Sequence, residues 1–125
     1  MIDNKIVYKG NSFIVKNLEL VKKYKYIIYK FSFENTPYFY SGSTKQGVDR
    51  LKQHLYSLEK NKHINTYFQK LYNNYDKMKI EIVFGTNSKN KLKRGEKEYN
   101  SNPFCVSFGN RTKLINDMFI SNIMI

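Results

Sequence analysis

The sequence predicts one α+β domain: a small antiparallel three-stranded sheet flanked by helices, with an extra N-terminal β-hairpin and a C-terminal helix. Three observations carry that expectation. Aromatic and β-branched residues crowd two runs, Tyr24 to Phe33 and Tyr38 to Ser41, on either side of the turn-forming Glu34-Asn35-Thr36-Pro37. After Gly42 the apolar period lengthens to three and four residues, which is that of a helix. The length of 125 residues suits a single domain able to bury a core, and 41% hydrophobic with 16% aromatic residues supplies the material.

The elements follow in order. Residues 5 to 16, KIVYKGNSFIVK, are two β-prone runs around Lys9-Gly10-Asn11, a hairpin signal. Leu18 to Lys23 is compatible with either state. Tyr24 to Phe33 and Tyr38 to Ser41 pair most simply as an antiparallel hairpin. Val48, Leu51, Leu55 and Leu58 form the stripe of an amphipathic helix ending near Lys60. Asn61-Lys62-His63 connects it to a second helix striped by Ile64, Phe68, Leu71 and Tyr75, with Asn65 a candidate N-cap. Met78 to Phe84 sets Met78, Ile80, Ile82 and Phe84 inward and Lys79, Glu81 and Val83 outward, as a third strand. Gly85 to Asn90 is a polar loop. Lys91 to Tyr99 is a short basic helix despite Gly95, which costs ~1 kcal/mol against Ala. Phe104 to Phe108 is a candidate short strand, and Thr112 to Ile125 a last apolar-striped helix. The whole chain, 1–125, is one domain: 1–23 an N-terminal extension, 24–110 the core, 111–125 the C-terminal helix.

Charge is the outlier. Lys+Arg 22 against Asp+Glu 10 gives +12. That excess favours a polyanion, most plausibly nucleic acid, because neutralised phosphates release condensed counterions. An anionic membrane surface could exploit the same charge, and an AT-rich coding sequence produces a similar bias toward Lys, Asn, Ile and Tyr. Cys105 is the only cysteine, which excludes an intramolecular disulfide and a cysteine-built zinc site; within Phe104-Cys105-Val106 it reads as a buried thiol. Met1-Ile2-Asp3-Asn4-Lys5 lacks the basic-then-apolar order of a signal peptide, and the uncharged run Met118 to Ile125 is too short to span a bilayer. The expectation is a soluble, cytoplasmic protein without a membrane partner.

A few residues are candidates for chemistry. Arg50 and His54, four apart, lie one turn above the other on the first long helix and emerge beside its packing seam. Arg50 is one of three arginines against 19 lysines, and its fork suits bidentate phosphate binding. A surface cation and a partly buried histidine fit the same pattern. Tyr29 and Tyr40 stand one on each strand of the central hairpin, where tyrosines ordinarily pack. Glu96 and Glu98 interrupt a basic helix; either can ligate a hard cation such as Mg²⁺ or pair with neighbouring lysines.

Taken in order, these residues resemble the GIY-YIG nuclease family. Ile27-Ile28-Tyr29 stands for the first motif. Tyr40 of Tyr40-Ser41-Gly42, the second motif, falls eleven positions after Tyr29. Ser43-Thr44-Lys45-Gln46-Gly47-Val48-Asp49-Arg50-Leu51-Lys52-Gln53-His54-Leu55 continues the likeness, with Arg50 eight residues after Gly42 and His54 four later. His63 matches a further histidine of phage-type members. The likeness covers roughly 24 to 110, and its specific part is 38 to 75. It implies a Mg²⁺- or Mn²⁺-dependent endonuclease that hydrolyses DNA phosphodiester bonds with a single metal. By resemblance, Tyr29 is a general base toward the attacking water and Tyr40 orders that water or the phosphate. Arg50 stabilises transition-state charge, and His54 orients or deprotonates the Tyr29 hydroxyl. Glu96, three residues before Tyr99, is the metal ligand, with Glu98 the other choice. Lys45, Lys52, His63 and Asn110 are the expected nucleic-acid contacts; Asn110, in Phe108-Gly109-Asn110, is matched loosely. Ile27 replaces the glycine of the first motif and Ser41 the isoleucine of the second, but both tyrosines stand. Phage, mobile-element and restriction roles all suit such a domain, and a homodimer is one route to double-strand cleavage.

Two other readings compete. One is a non-catalytic nucleic-acid-binding module on the same fold, in which lysines among tyrosines (Lys22, Lys23, Tyr24, Lys25, Tyr26) grip backbone and stack bases. The other is an interaction protein whose C-terminal helix, with Leu114, Ile115, Met118, Phe119, Asn122 and Ile123, docks a partner rather than closing the core.

Overall fold

The first turn of the chain is set by backbone conformation. Strands β1 (Lys5–Tyr8) and β2 (Asn11–Lys16) are antiparallel with Tyr8 opposite Asn11, so Lys9 and Gly10 alone make the loop. Both have positive φ, +50° and +78°, the requirement of the two-residue hairpin turn that follows strand twist. This is a computed structural model, and it describes residues 4–107. The expected C-terminal helix, together with Phe108 and Asn110, lies outside the described residues.

After one helical turn, α1 (Leu20–Lys23), strand β3 (Tyr26–Phe33) enters the middle of the molecule. Six of its eight residues are buried, which explains its nearly continuous apolar sequence. The turn beyond it passes through Asn35 at φ +74°. Strand β4 (Phe39–Thr44) then pairs antiparallel with β3, from Ser32–Phe39 to Ile27–Thr44. Helices α2 (Val48–Glu59) and α3 (Thr66–Asn74) follow, then strand β5 (Met78–Thr86), antiparallel to β3 on its other side, and helix α4 (Lys89–Asn100).

The sheet has five strands in the order β1-β2-β5-β3-β4, mostly antiparallel. The N-terminal hairpin was expected as an extension beside a three-stranded sheet. It is instead continuous with that sheet, because Val15 and Lys16 of β2 pair parallel with Ile80 and Glu81 of β5. Ile6 and Val15 are accordingly buried in the main core.

The two faces of β3 serve different helices. Ile27, Tyr29, Phe31 and Phe33, with Ile80 and Ile82 of β5, pack in one cluster with Leu51, Leu55 and Leu58 of α2 and Phe68 and Leu71 of α3. A register shift between β3 and β5 falls at Ile28/Tyr29. Ile28 points to α4, where Gly95 lies so close that an added Cβ would stand 2.7 Å from Ile28 Cδ1. Gly95 therefore lets the helix approach the sheet, which outweighs its poor helix propensity. Beyond α4 the segment expected as a strand makes a single parallel bridge, Cys105 to Phe39, closed by Val106 N–H donating to the Phe39 carbonyl at 2.8 Å. Among the described residues no helix is long and apolar enough to cross a membrane.

Capping fixes the α2–α3 connection. Asn61 is left-handed at φ +57°, its N–H donates to the Leu58 carbonyl, and Lys62 N–H donates to the Ser57 carbonyl at 2.9 Å. This pair of bonds is the Schellman ending of α2. Asn65 then caps α3, its Oδ1 accepting from the N–H groups of Tyr67 and Phe68 at 3.0 and 3.1 Å. Ile64, expected in the apolar stripe of α3, precedes that cap at a bend in the chain and is 95% exposed. Asn65 also donates from Nδ2 to the Val106 carbonyl at 2.9 Å. Asn65→Ala should therefore cost ~1–2 kcal/mol in urea unfolding, whereas Ile64→Ser should stay within about 0.5 kcal/mol.

Candidate active site

Tyr29 and Gly42 face each other directly across β3 and β4, and Tyr40 stands diagonally from Tyr29, opposite Phe31. The register puts all these side chains on the α2–α3 face. Gly42 is a requirement of that arrangement: a Cβ there would overlap the Tyr29 hydroxyl and lie 2.7 Å from Cζ. A glycine at position 42 thus lets the Tyr29 ring lie across the strand. Tyr40 stacks on Phe68 at 4.3 Å and meets the His54 ring edge-on at 5.2 Å.

Helix α2 brings His54 beneath the strand pair. Its Nε2 is 2.7 Å from Tyr29 Oη and its Nδ1 is 2.8 Å from His63 Nε2. The second ring nitrogen of His63, Nδ1, accepts the backbone N–H of Asn65 at 3.0 Å. His54 and His63 are buried, 2% and 8% exposed. His63 was expected to touch nucleic acid; both of its ring nitrogens are engaged inside the protein, which leaves neither for that contact. Gln69 holds the turn around it, accepting His63 N–H at 3.0 Å and donating to the Leu58 carbonyl at 2.9 Å. Gln69 left one local signal in the sequence, a glutamine following Phe68 on a core-facing helix.

Arg50, one turn before His54, donates from Nη1 to Gln53 Oε1 at 3.0 Å and lines a shallow surface groove with Lys52, Gln53 and Tyr56. It is the cation whose field the buried groups feel. Burial first, and the neighbouring Tyr40 second, hold the Tyr29 phenol well above the ordinary tyrosine range, while Arg50 opposes them. Burial also raises Tyr40, again against Arg50. Burial pushes His54 down to about 3, with Arg50 and His63 acting the same way, and burial lowers His63 too. Both imidazoles are neutral at neutral pH.

On the other side of β4, Glu96 of α4 is half-buried and its Oε2 accepts from Ser43 Oγ at 2.9 Å. It lines a cleft of about 180 Å³ together with Tyr40, Gly42, Asn100 and Ser107. Glu98 is exposed and lines a different groove, with Lys91 and Arg94. Of the two glutamates, Glu96 alone shares a cleft with Tyr40. Its side chain and the cleft's other polar groups offer oxygen and amide donors with no thiol or imidazole among them, a set that suits Mg²⁺ or Mn²⁺ held by one carboxylate, water and substrate. Among the described residues no group of three or more His, Cys, Asp and Glu side chains converges. Lys45 and Lys52 are exposed, the first just beyond β4 and the second on α2. Ser43, Asn100 and Ser107 were not anticipated, since only the fold brings them to Glu96.

Two outcomes follow from this geometry. Gly42→Ala must displace the Tyr29 ring from His54, and an overpacked core of this kind should cost ~1–3 kcal/mol on urea unfolding. For His54, the folded value lies below the unfolded 6.5, so the unfolded chain takes up the proton first. Stability is then complete above pH 6.5 and declines as pH falls toward 3, by up to about 1.4 kcal/mol per unit from this group. Urea midpoints at pH 7.5 and pH 5 should differ by the equivalent of ~2 kcal/mol; equal midpoints would contradict a neutral, buried His54.

No family model matches the chain, and comparison with curated proteins and with solved structures likewise finds no match. A functional reading therefore rests on the residues and their geometry.

Proposed function

We propose that the protein is a divalent-metal-dependent endonuclease that hydrolyses DNA phosphodiester bonds by a GIY-YIG-type single-metal mechanism. The observation that carries this reading is the position of Tyr40, which stands against His54 on one side and lines the Glu96 cleft on the other. Groups 56 residues apart in sequence, Tyr40 to Glu96, thereby meet around one strand edge. Support for a GIY-YIG-like core also comes from the β5-β3-β4 arrangement, with α2 and α3 on one face and α4 on the other.

In this reading Glu96 would hold the Mg²⁺ or Mn²⁺ in place of its hydrogen bond with Ser43. A metal held there would supply Lewis-acid stabilisation to the reacting phosphate. Arg50 places a fixed cation where negative charge gathers at phosphorus. Tyr40 orders the water or the phosphate at the cleft. Tyr29, once ionised, takes the proton of the attacking water as the new P–O bond forms and the scissile P–O bond breaks, and the leaving oxygen takes a proton from solvent water. Its burial works against ionisation, and the Arg50 field offsets that cost only in part. Exposed Lys45 and Lys52 contact the DNA backbone, consistent with the +12 charge. One site per chain nicks one strand; a double-strand break needs a homodimer or two successive events.

Supercoiled plasmid incubated with Mg²⁺ or Mn²⁺ tests the proposal. Metal-dependent nicking should vanish with EDTA and in Glu96→Gln, and should fall ~10²–10³-fold in Arg50→Ala. A salt-sensitive mobility shift without cutting would support the non-catalytic binding module instead. Because the Tyr29 value is raised, the nicking rate should climb about tenfold per pH unit from pH 6 to 9 without a plateau. A rate independent of pH over that range would remove Tyr29 as the base.

A further inference from the structure

The line Tyr29–His54–His63–Asn65 holds both histidines of the chain, and it is directional. At its far end is a group whose role is fixed. A backbone N–H only donates, so Asn65 N–H at 3.0 Å requires a lone pair on His63 Nδ1. A neutral imidazole carries one ring proton, which for His63 is then on Nε2. That proton points at His54 Nδ1, 2.8 Å away; with ring centroids 5.1 Å apart the two nitrogens lie on the line between the rings, and at 16° between planes the N–H of one lies near the plane of the other. His54 Nδ1 is thereby an acceptor, and the single proton of His54 is on Nε2. Nε2 lies 2.7 Å from Tyr29 Oη.

We infer that the Asn65 N–H and His63 lock His54 in its Nε2–H tautomer, so that His54 is a positioning residue that donates to the Tyr29 oxygen and cannot accept the Tyr29 proton. The sequence resemblance left two roles for His54, orienting the phenol or deprotonating it. The hydrogen-bond direction selects the first. The hydroxyl proton of Tyr29 is turned away from His54, and on ionisation it passes to solvent water. The phenolate left behind keeps a donated hydrogen bond, which favours the charged form over a phenolate with no such donor. His63 acts through His54 without touching a substrate, and Gln69 and the Asn65 cap hold it in place.

This inference rests on hydrogen-bond direction and stands apart from the nuclease reading, so the two can fail separately. It is tested on the full chain labelled with ¹⁵N-histidine, by long-range ¹H–¹⁵N correlation at pH 7.5, with the two rings assigned through His63→Gln. Both rings should show the neutral Nε2–H pattern. His63→Leu should give His54 a mixture of tautomers. His63→Gln, whose side-chain amide offers a donor where Nε2–H stood, should restore a single one. Tyr29→Phe should leave the His54 tautomer unchanged, since the lock comes from the other side. An Nδ1–H form of His54 in the wild-type chain would overturn the inference. So would a switch to that form in Tyr29→Phe, because Tyr29 rather than His63 would then set the tautomer.

Discussion

A 2.7 Å hydrogen bond between a phenol on the central strand and an imidazole on the first long helix fixes much of this molecule. Three polar side chains, Tyr29, His54 and His63, are inserted among Phe31, Phe68, Leu51 and Leu55 in the main core. Burial of such groups is costly wherever one is left unpaired, on the order of 1–3 kcal/mol each, and here both ring nitrogens of each histidine that face the network, together with the Tyr29 oxygen, have partners. The matching makes demands at a distance. Gly42 must lack a side chain, α2 must end in a left-handed Asn61, and Asn65 must sit extended before α3 so that its amide points back at His63. A core of leucines would impose none of these constraints. It would also fix no orientation for the Tyr29 hydroxyl, whereas a satisfied network specifies one arrangement.

Electrostatics divides the site into two halves with different character. The inner half is neutral: burial suppresses charge on both histidines and both tyrosines. The outer half is charged, with Arg50 on α2 and Glu96 on α4, each half-buried at the surface. Tyr40 and Gly42 lie between them on β4, close to the sheet edge. Charged groups at the rim of a low-dielectric interior act on a ligand, and on the phenols behind them, more strongly than the same charges would in open water. The close approach of α4 to the sheet at Gly95 is what brings the carboxylate to that rim.

Much of the architecture was legible because it is local. The Lys9-Gly10 hairpin, the Asn65 cap, the break after Phe33 and the stripe of Val48, Leu51, Leu55 and Leu58 are written in neighbouring residues and emerge where expected. What depended on contacts far apart in sequence was not. The parallel pairing of Val15 with Ile80 draws the hairpin into the sheet, and no pattern in either strand announces it. Ile64 looked like part of a helical stripe because periodicity does not say on which side of a cap a residue falls. Glu96 and Glu98 are nearly opposite on a helix, and only the seating of Gly95 on Ile28 decides which faces Tyr40. Gly95 itself read as a weak point of α4 and is its point of contact. The spacing of Arg50, His54 and His63 is local, whereas the inward turn of His63 comes from the Schellman ending of α2 and the Gln69 bonds.

The account as a whole stands on Glu96 and Tyr40 forming one ligand site, and the most direct measurement is the position of Mn²⁺ in crystals of the protein, read from its anomalous scattering. A peak against the Glu96 carboxylate, inside the cleft shared with Tyr40 and with Ser43 released, is the predicted result. Glu96 still bonded to Ser43 at millimolar Mn²⁺, or a peak seated at Glu98 instead, would contradict it.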